Sequence, residues 1–466
     1  MADVLLKQQR KILLWAFALL CAVGAWAAVP SSATPRFLTF DEVREILNAF
    51  AASGAASVDW PDAHSWPQWI EACDRDIRDR VDRGYEDSIS NLILYGTLFS
   101  TQPRMDGAES AISANGDLTP AAHARVRDFA AGLEAPKLKN ERLRFAADFF
   151  VRRKISSTAL QSALEANLSR FAKEQREYQT TLAAAGKAGD PSQLLFTRST
   201  LYQERGLSVD TSLLPNFAIE DTLRAMIRKG ALTLGSTHRI AVIGAGLDFA
   251  DKRGGYDYYP LQTIQPFAIL EAAARLGLGA KDQIEVTTFD LNPAVIAHIR
   301  GAARRARAGH AYTIQLPRDA QGAWTPEALA YWQHFGDEIG RAVPAIATPE
   351  SLQREIAVRA VTIGPEYLMR MDSVDLDIVS QTLDTEPGKG YDIVVATNIL
   401  VYYDLFHQAL AKAAIARMMN PGGVLLVNHA LPSQPASVLE YLGRRSVSYS
   451  SSGAYGDDVV VYRRRR

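Results

Sequence analysis

The chain has little cysteine and no metal-binding spacing. Its 466 residues include two cysteines, Cys21 and Cys73, and eight histidines. Cys21 lies in an apolar amino-terminal run, so a chain cleaved after that run would keep one thiol and could form no internal disulfide. No Cys-x-x-Cys or His-x-x-x-His pair occurs. The sequence therefore predicts neither a disulfide scaffold nor a metal site.

An excess of charge of one sign is also absent. Lys and Arg number 51 against 52 Asp and Glu, for a net charge of -1. Such a balance predicts no nucleic-acid partner, and the terminal run Arg463–Arg466 is more typical of a solvated tail than of a binding site. The length allows two domains of ordinary globular composition.

The amino terminus follows the pattern of a targeting segment. Three basic residues between positions 7 and 11 precede an uncharged run from Ile12 to Ala28 that ends in an Ala-x-Ala pattern. This pattern predicts that residues 1–28 are a secretory signal peptide or, if uncleaved, a membrane anchor. We then expect an exported (periplasmic or secreted) or membrane-anchored protein, with membrane association through residues 12–28. It would be cytoplasmic if the start codon is assigned too far upstream.

Residues 36–190 are predicted to form a helical amino-terminal domain. Thr39 and Glu42 form a capping box, and Thr119 followed by Pro120 is typical of a helix start. The Gly/Asp/Pro-containing stretch 186–192 marks the predicted boundary to a second domain, residues 191–466.

The second domain contains strand patterns that end in ligand-binding residue types. A run from His238 reaches Gly244-Ala245-Gly246, and a run from Gln283 ends at Asp290. Glycine lets the backbone approach a ligand, and a carboxylate at a strand tip can accept hydrogen bonds from both ribose hydroxyls. These two motifs predict a bound adenosine-containing ligand.

Two later strands complete the pattern. Asp392 leads an apolar run, Ile393–Ala396, which ends in Thr397-Asn398, and the turn Asn420–Gly423 leads into another apolar run. This order indicates a parallel α/β sheet with a polar, ligand-facing edge. A nicotinamide enzyme is disfavoured because Phe249 occupies the third glycine position and Asp290 is far more than about 20 residues downstream.

On these motifs, residues of about 235 to 465 resemble the class I S-adenosylmethionine-dependent methyltransferases. The segment Asn398-Ile-Leu-Val-Tyr-Tyr-Asp404 is most similar to the chemotaxis-receptor glutamate methyltransferases. The resemblance implies a Rossmann-like sheet of seven strands in the order 3-2-1-4-5-7-6, and the β-rich runs 445–450 and 458–462 suit its terminal hairpin. It also implies S-adenosylmethionine as cofactor and a small-molecule or protein acceptor, a carboxylate in that subfamily.

The resemblance and the motifs assign candidate roles to individual residues. Cofactor contacts are expected from Gly244, Ala245, Gly246, Asp290, Leu291, Thr382 and Asn398. Asn398 and Tyr402 are the candidate catalytic, acceptor-side residues. Thr382 is included because we expect the run from Met371 to merge into strand 3 and end near Thr382, facing the adenine. For an alcohol or amine acceptor, His429 or Tyr402 could act as general base.

Two positions depart from the family pattern. Val242 stands where the family has an acid, and Thr397 stands where the compared subfamily has an arginine. Together with the signal-like segment, these departures favour a rival hypothesis, an exported binding protein that retains the fold without catalysis.

Three further segments are candidates for substrate contacts. Residues of about 311 to 375 carry strand-like runs and a helical stretch, which predicts a small β-containing insertion, a substrate-docking element in the similar subfamily. The loop 247–263 is either a lid or substrate wall, or a packed surface insertion. Arg198, Tyr202 and Arg205 are candidates to contact substrate or carboxylate, with a surface turn as the equal alternative.

Overall fold

The computed structural model describes residues 34–52, 60–134, 140–188, 205–249, 257–433, 437–453 and 455–465. The predicted signal or anchor segment, Arg198 and Tyr202, and the middle of the 247–263 loop lie outside these ranges. In the described ranges, no helix has the length and apolarity needed to cross a membrane.

A seven-stranded sheet organises the fold. Its strands and those of two smaller sheets are β1 (Pro35–Phe37), β2 (Arg239–Ile243), β3 (Glu285–Asp290), β4 (Tyr312–Asp319), β5 (Gly340–Val343), β6 (Ile356–Ile363), β7 (Met371–Asp375), β8 (Gln381–Leu383), β9 (Tyr391–Ala396), β10 (Met419–Val427), β11 (Leu439–Ser448) and β12 (Gly456–Arg464).

The central sheet has the order β7-β3-β2-β9-β10-β12-β11. Neighbours from β7 to β10 are parallel, and β12 is antiparallel to both β10 and β11. Numbered along the chain, these seven strands lie in the order 3-2-1-4-5-7-6. Strands β2 and β9, and β10 from Gly423 onward, are mostly apolar and almost wholly buried, as expected for strands covered on both faces. The predicted α/β class with a central, mostly parallel sheet is confirmed.

The described α-helices are α1 (Phe40–Ala52), α2 (Trp66–Tyr95), α3 (Pro120–Leu133), α4 (Glu141–Arg152), α5 (Ser157–Ala188), α6 (Leu214–Arg228), α7 (Gln265–Arg275), α8 (Pro293–Arg307), α9 (Pro326–His334), α10 (Pro365–Leu368) and α11 (Leu405–Met418). Side-chain caps begin two of the helices that follow parallel strands: Asn292 accepts a hydrogen bond from the backbone of α8, and Asp404 from that of α11.

One hydrophobic core joins the amino-terminal helices to the sheet. It contains Ile89 of α2 and Phe149 of α4 together with Ile240 of β2 and Val395 of β9. Residues Pro35–Arg466 accordingly form one compact unit.

The segment between β3 and β7 forms a small separate sheet. Strands β4, β6 and β5 pair antiparallel in the order β4-β6-β5, with α9 between β4 and β5. A bridge between Trp324 and Ser450 ties this insertion to the β11–β12 hairpin, where Thr325 N donates to Tyr449 O at 2.8 Å. The insertion therefore lies beside the last hairpin of the central sheet.

The expected end of strand 3 near Thr382 is wrong. Strand β7 ends at Asp375, and the chain then turns because the Asp377 carboxylate accepts hydrogen bonds from Val379 N at 3.0 Å and Ser380 Oγ at 2.7 Å. Thr382 belongs to β8, which pairs with β1 in a different sheet. Its hydroxyl donates to Ala414 O at 3.1 Å and is wholly buried.

Candidate functional site

A cavity of about 1130 Å³ lies where β2, β3 and β9 end. Because parallel strands place their carboxyl ends at one edge, residues far apart in sequence meet there. The cavity lining brings together six of the predicted site residues: Gly244, Gly246, Asp290, Leu291, Asn398 and Tyr402.

The glycine turn after β2 adopts a backbone that favours glycine. Gly244 and Gly246 have φ angles of 71° and 63°, and Gly244 N donates to Phe289 O at 2.7 Å. A Cβ on Gly244 would overlap the side chain of Ile399, and one on Gly246 would lie 2.7 Å from Val209 O. Ile399 therefore covers Gly244 on one side, and Val209 covers Gly246. Both glycines still line the cavity.

The Asp290 carboxylate connects the end of β3 to this turn. Its Oδ1 accepts from Asn292 N at 2.8 Å, and the backbone N–H groups of Gly246 and Leu291 also favour its ionised form. Burial outweighs these hydrogen bonds and raises the pKa of Asp290 to about 6. Burial thus makes the ionised form of this carboxylate less favourable, while the backbone N–H groups orient it.

The two polar residues after β9, Thr397 and Asn398, have different surroundings. Thr397 is buried, and its Oγ1 accepts from Gln265 Nε2 at 2.9 Å at the start of α7. Asn398 is exposed, has a left-handed backbone with φ of 61°, and donates its N–H to the side chain of Asn428 after β10. Left-handed asparagine is an uncommon, locally strained conformation that positions its side chain on the cavity lining.

An extended segment before α6 covers the glycine turn. Thr211 N donates to Leu247 O at 3.1 Å, and Leu247 N donates to Val209 O at 2.6 Å. The same segment lies against α2, where a Cβ on either Gly84 or Gly206 would overlap backbone atoms of the other stretch. These contacts place Asp210 on the cavity lining.

Arg80 of α2 joins that segment to the loop after β9. Its guanidinium donates to Arg205 O at 2.9 and 3.1 Å and to Tyr402 O at 2.9 Å, and it lies 5.6 Å from the centre of the Tyr403 ring. Burial lowers the pKa of Arg80. Arg205 itself lines the cavity and stacks on the Tyr178 ring at 5.7 Å. No motif in the sequence marks Arg80, because its partners lie more than 100 residues away.

Both described ends of the 247–263 loop are packed. The fully buried Arg142 of α4 donates to Asp248 O at 3.0 Å and Asp257 O at 3.1 Å, and also to the carbonyl groups of Phe249 and Tyr259. Residues 250–256 lie outside the described part. The described ends of this loop are thus anchored to α4 of the amino-terminal region.

The remaining predicted residues lie off the cavity lining. Ala245 is fully buried between the two glycines. His429 Nε2 lies 3.2 Å from Gln408 Oε1 of α11, and burial lowers the pKa of His429 to about 4. The cavity is lined at its far end by the insertion and the last hairpin, through Trp324, Tyr449 and Tyr455.

No protein-family model matches the chain, and no curated protein matches it. Solved structures similar to it include the N-methyltransferase NodS from Bradyrhizobium japonicum WM9 (13% identity, 53% of this chain and 95% of that chain, TM-score 0.26). Others are the magnesium protoporphyrin IX methyltransferase ChlM from Synechocystis PCC 6803 with bound SAM (10%, 53% and 79%, 0.24) and TrmN from Thermus thermophilus (14%, 56% and 54%, 0.23). Similarity at these TM-scores does not support a conclusion about the function of this chain.

Proposed function

We propose that the protein binds S-adenosylmethionine and transfers its methyl group to an acceptor. One observation supports the proposal: Gly244, Gly246 and Asp290 line the same cavity. This cavity lies at the carboxyl edge of a sheet with the strand order 3-2-1-4-5-7-6. That order is the one implied by the sequence resemblance. Ligands of open α/β sheets bind at this edge.

The described lining suits a nucleoside. Asp290 presents an oriented carboxylate at the tip of β3, where ribose hydroxyls could donate to it. Leu291, Leu376 and Ile378 line the same cavity after β3 and β7 and offer an apolar surface for a purine ring. Ile399 occupies the space directly over Gly244. We therefore place the nucleoside toward Asp290 and Leu376.

The protein's contribution to such a reaction is chiefly alignment. A methyl sulfonium gives up its methyl group by in-line displacement, which needs positioning and charge placement more than proton chemistry. Asn398 and Tyr402 lie on the lining beside the glycine turn and are our candidates for contacts to the acceptor. The aromatic far end, with Trp324 and Tyr449, would exclude water from it.

We further propose a carboxylate as the acceptor, as the sequence resemblance implies. A carboxylate needs no general base, and the described lining of the cavity contains no histidine. Arg318 lines the cavity with its guanidinium 4.9 Å from the centre of the Trp332 ring, where a carboxylate could pair with it.

Calorimetric titration of the full chain with S-adenosylmethionine and S-adenosylhomocysteine tests the proposal. Binding of both in the micromolar range or tighter is expected; no binding of either would favour the rival binding protein that retains the fold. The acceptor class is tested with a methyl-labelled cofactor and a set of small carboxylic acids and acidic peptides. Methyl esters release volatile methanol in alkali, whereas N-methyl products do not.

A further inference from the structure

Arg318 of β4 is a cation at the far end of the cavity, away from the glycine turn. We propose that it forms a separate subsite for an anionic group, a carboxylate or a phosphate. The acceptor would then carry an acidic group in addition to the one that receives the methyl. The assignment of this anion to the acceptor rests on the proposed function.

The guanidinium of Arg318 lies over two tryptophan rings. Its central carbon is 4.9 Å from the ring centre of Trp332 and 5.9 Å from that of Trp324. Trp332 is fixed because its Nε1 donates to Leu316 O at 2.9 Å. Trp324 is fixed by its backbone bridge to Ser450. An arginine that stacks on aromatic faces presents its N–H edge to a planar acid group, so these contacts orient Arg318 for binding an anion.

No carboxylate in the described part of the chain pairs with Arg318. Among those residues its hydrogen bond is from Nη1 to Asp319 O at 3.0 Å, and its Nε is buried without a partner. Removing a cation from water without a counterion is unfavourable, and buried donors without a partner are rare. A bound anion would balance the charge and accept from the unpaired donor.

Two other arginines line the cavity and are the competing candidates. Arg104 Nη2 lies 3.3 Å from Glu355 Oε2, so its charge is already balanced, although its Nη1 is buried without a partner. Arg205 lies over the ring of Tyr178, where helix α5 lines the cavity. Arg318 is therefore the cation best suited to bind an acid group beside the insertion.

Strand β4 places Arg318 apart from the glycine turn. Gln315 of this strand lies near the turn, because Gln262 Nε2 donates both to Gln315 O at 2.8 Å and to Asp248 Oδ2 at 2.9 Å. Arg318 follows three residues later, about 10 Å further along the strand. An anion on Arg318 therefore lies on the side of the last hairpin, whereas we place the methylated group at the turn beside Asn398.

The test uses three probes without a cofactor on the full chain. Cyclohexanecarboxylate, cyclohexyl phosphate and the neutral cyclohexanecarboxamide share one apolar ring. Tryptophan fluorescence reports their binding, because Trp324 and Trp332 contact the guanidinium. The wild type is compared with Arg318→Gln, with Arg104→Gln, and with Arg341→Gln as a control at an exposed position of β5 in the same insertion. Circular dichroism checks that each variant is folded.

The wild type should bind the better of the two anions with a Kd on the order of 1 mM, and the amide at least about 10-fold more weakly. Arg318→Gln should weaken that anion about 10-fold or more and leave the amide unchanged, because the charge-assisted hydrogen bonds are lost. Arg104→Gln and Arg341→Gln should leave these affinities unchanged. Tighter binding of the carboxylate or of the phosphate ester identifies which acid group the subsite takes.

Equal affinity of the wild type for the anions and the amide would overturn the inference, even if Arg318→Gln did not fold. A wild type that binds neither anion, an unchanged affinity in Arg318→Gln, or a selective loss in Arg104→Gln instead would overturn it as well. These titrations contain no cofactor. In each case the calorimetric titration with S-adenosylmethionine therefore still decides the proposed function.

Kinetics test whether the anion belongs to the acceptor. With an acid that the protein methylates, Arg318→Gln should raise KM about 10-fold or more and leave kcat nearly unchanged, because the anchoring group binds equally in the ground state and the transition state. A loss confined to kcat would place Arg318 at the reacting group and would overturn the separate subsite.

Discussion

The side chain of Ile399 lies directly over Gly244, so that a Cβ at position 244 would overlap Cδ1 of Ile399. The two residues come from the ends of adjacent parallel strands, β2 and β9. Glycine is therefore favoured at position 244 for two reasons: its φ of 71° is one that other residues rarely adopt, and Ile399 leaves no room for a Cβ.

Gly244→Ala should therefore cost more stability than Gly277→Ala. Gly277 has a similar φ of 66° but open space around its Cα, so alanine there should cost only the backbone strain of about 1 to 2 kcal/mol. The overlap with Ile399 should add about 1 to 3 kcal/mol. Denaturant unfolding measures both, and Ile399→Ala should recover part of the Gly244→Ala loss. Additive effects of the two substitutions would contradict the contact.

Arg142→Met should strongly destabilise the protein. Methionine can keep the apolar contacts of the arginine side chain. The carbonyl groups of Asp248, Phe249, Asp257 and Tyr259 would lose the hydrogen bonds that the buried Arg142 guanidinium donates to them. We expect a loss of about 3 to 5 kcal/mol in the free energy of unfolding and faster hydrogen exchange across 257–263. Arg144→Met, on the exposed side of the same helix, should change stability by less than about 1 kcal/mol. Similar losses in both variants would refute the anchoring role.

Asp377→Asn should stabilise the protein at pH 7 and not at pH 4. Burial raises the pKa of Asp377 from 3.8 to about 6, so the folded chain binds this proton more tightly than the unfolded chain. The charged Asp377 therefore lowers the free energy of unfolding, most strongly above pH 6, and this effect disappears as the pH falls toward 3.8. We expect a gain of about 1 to 3 kcal/mol at pH 7 by denaturant unfolding. A gain that is independent of pH would show that the charge is not its cause.

Asp290→Asn should weaken every ligand that carries the ribose. Adenosine, 5′-methylthioadenosine and S-adenosylhomocysteine share the two hydroxyls that we place at this carboxylate, and each should bind about 10-fold more weakly or worse. Calorimetry with the three ligands measures this effect, and Asp282→Asn, in an exposed turn before β3, should leave all three affinities unchanged. Unchanged adenosine binding in Asp290→Asn would place the ribose elsewhere.

Much of the sheet could be predicted from local patterns. The runs of β-branched, aromatic and other apolar residues that lead to Gly244, Asp290 and Asn398 are parallel strands, and their shared edge follows from parallel pairing alone. The end of strand 3 could not be predicted, because the turn after Asp375 depends on the buried Asp377 carboxylate and on the pairing of β8 with β1 from the other end of the chain.

By itself, the sequence determined which residues follow the parallel strands and so which side chains meet at the cavity, because strand periodicity and glycine conformation are local properties. Only the tertiary structure decided what covers that edge: Asp210 beside Leu247, Arg80 against Tyr402 and Ile399 over Gly244. All three contacts join residues that are far apart in sequence, and the third also depends on how neighbouring strands pack. Contacts of this kind leave no short-range pattern in the sequence, because they form only when the folded chain brings the residues together.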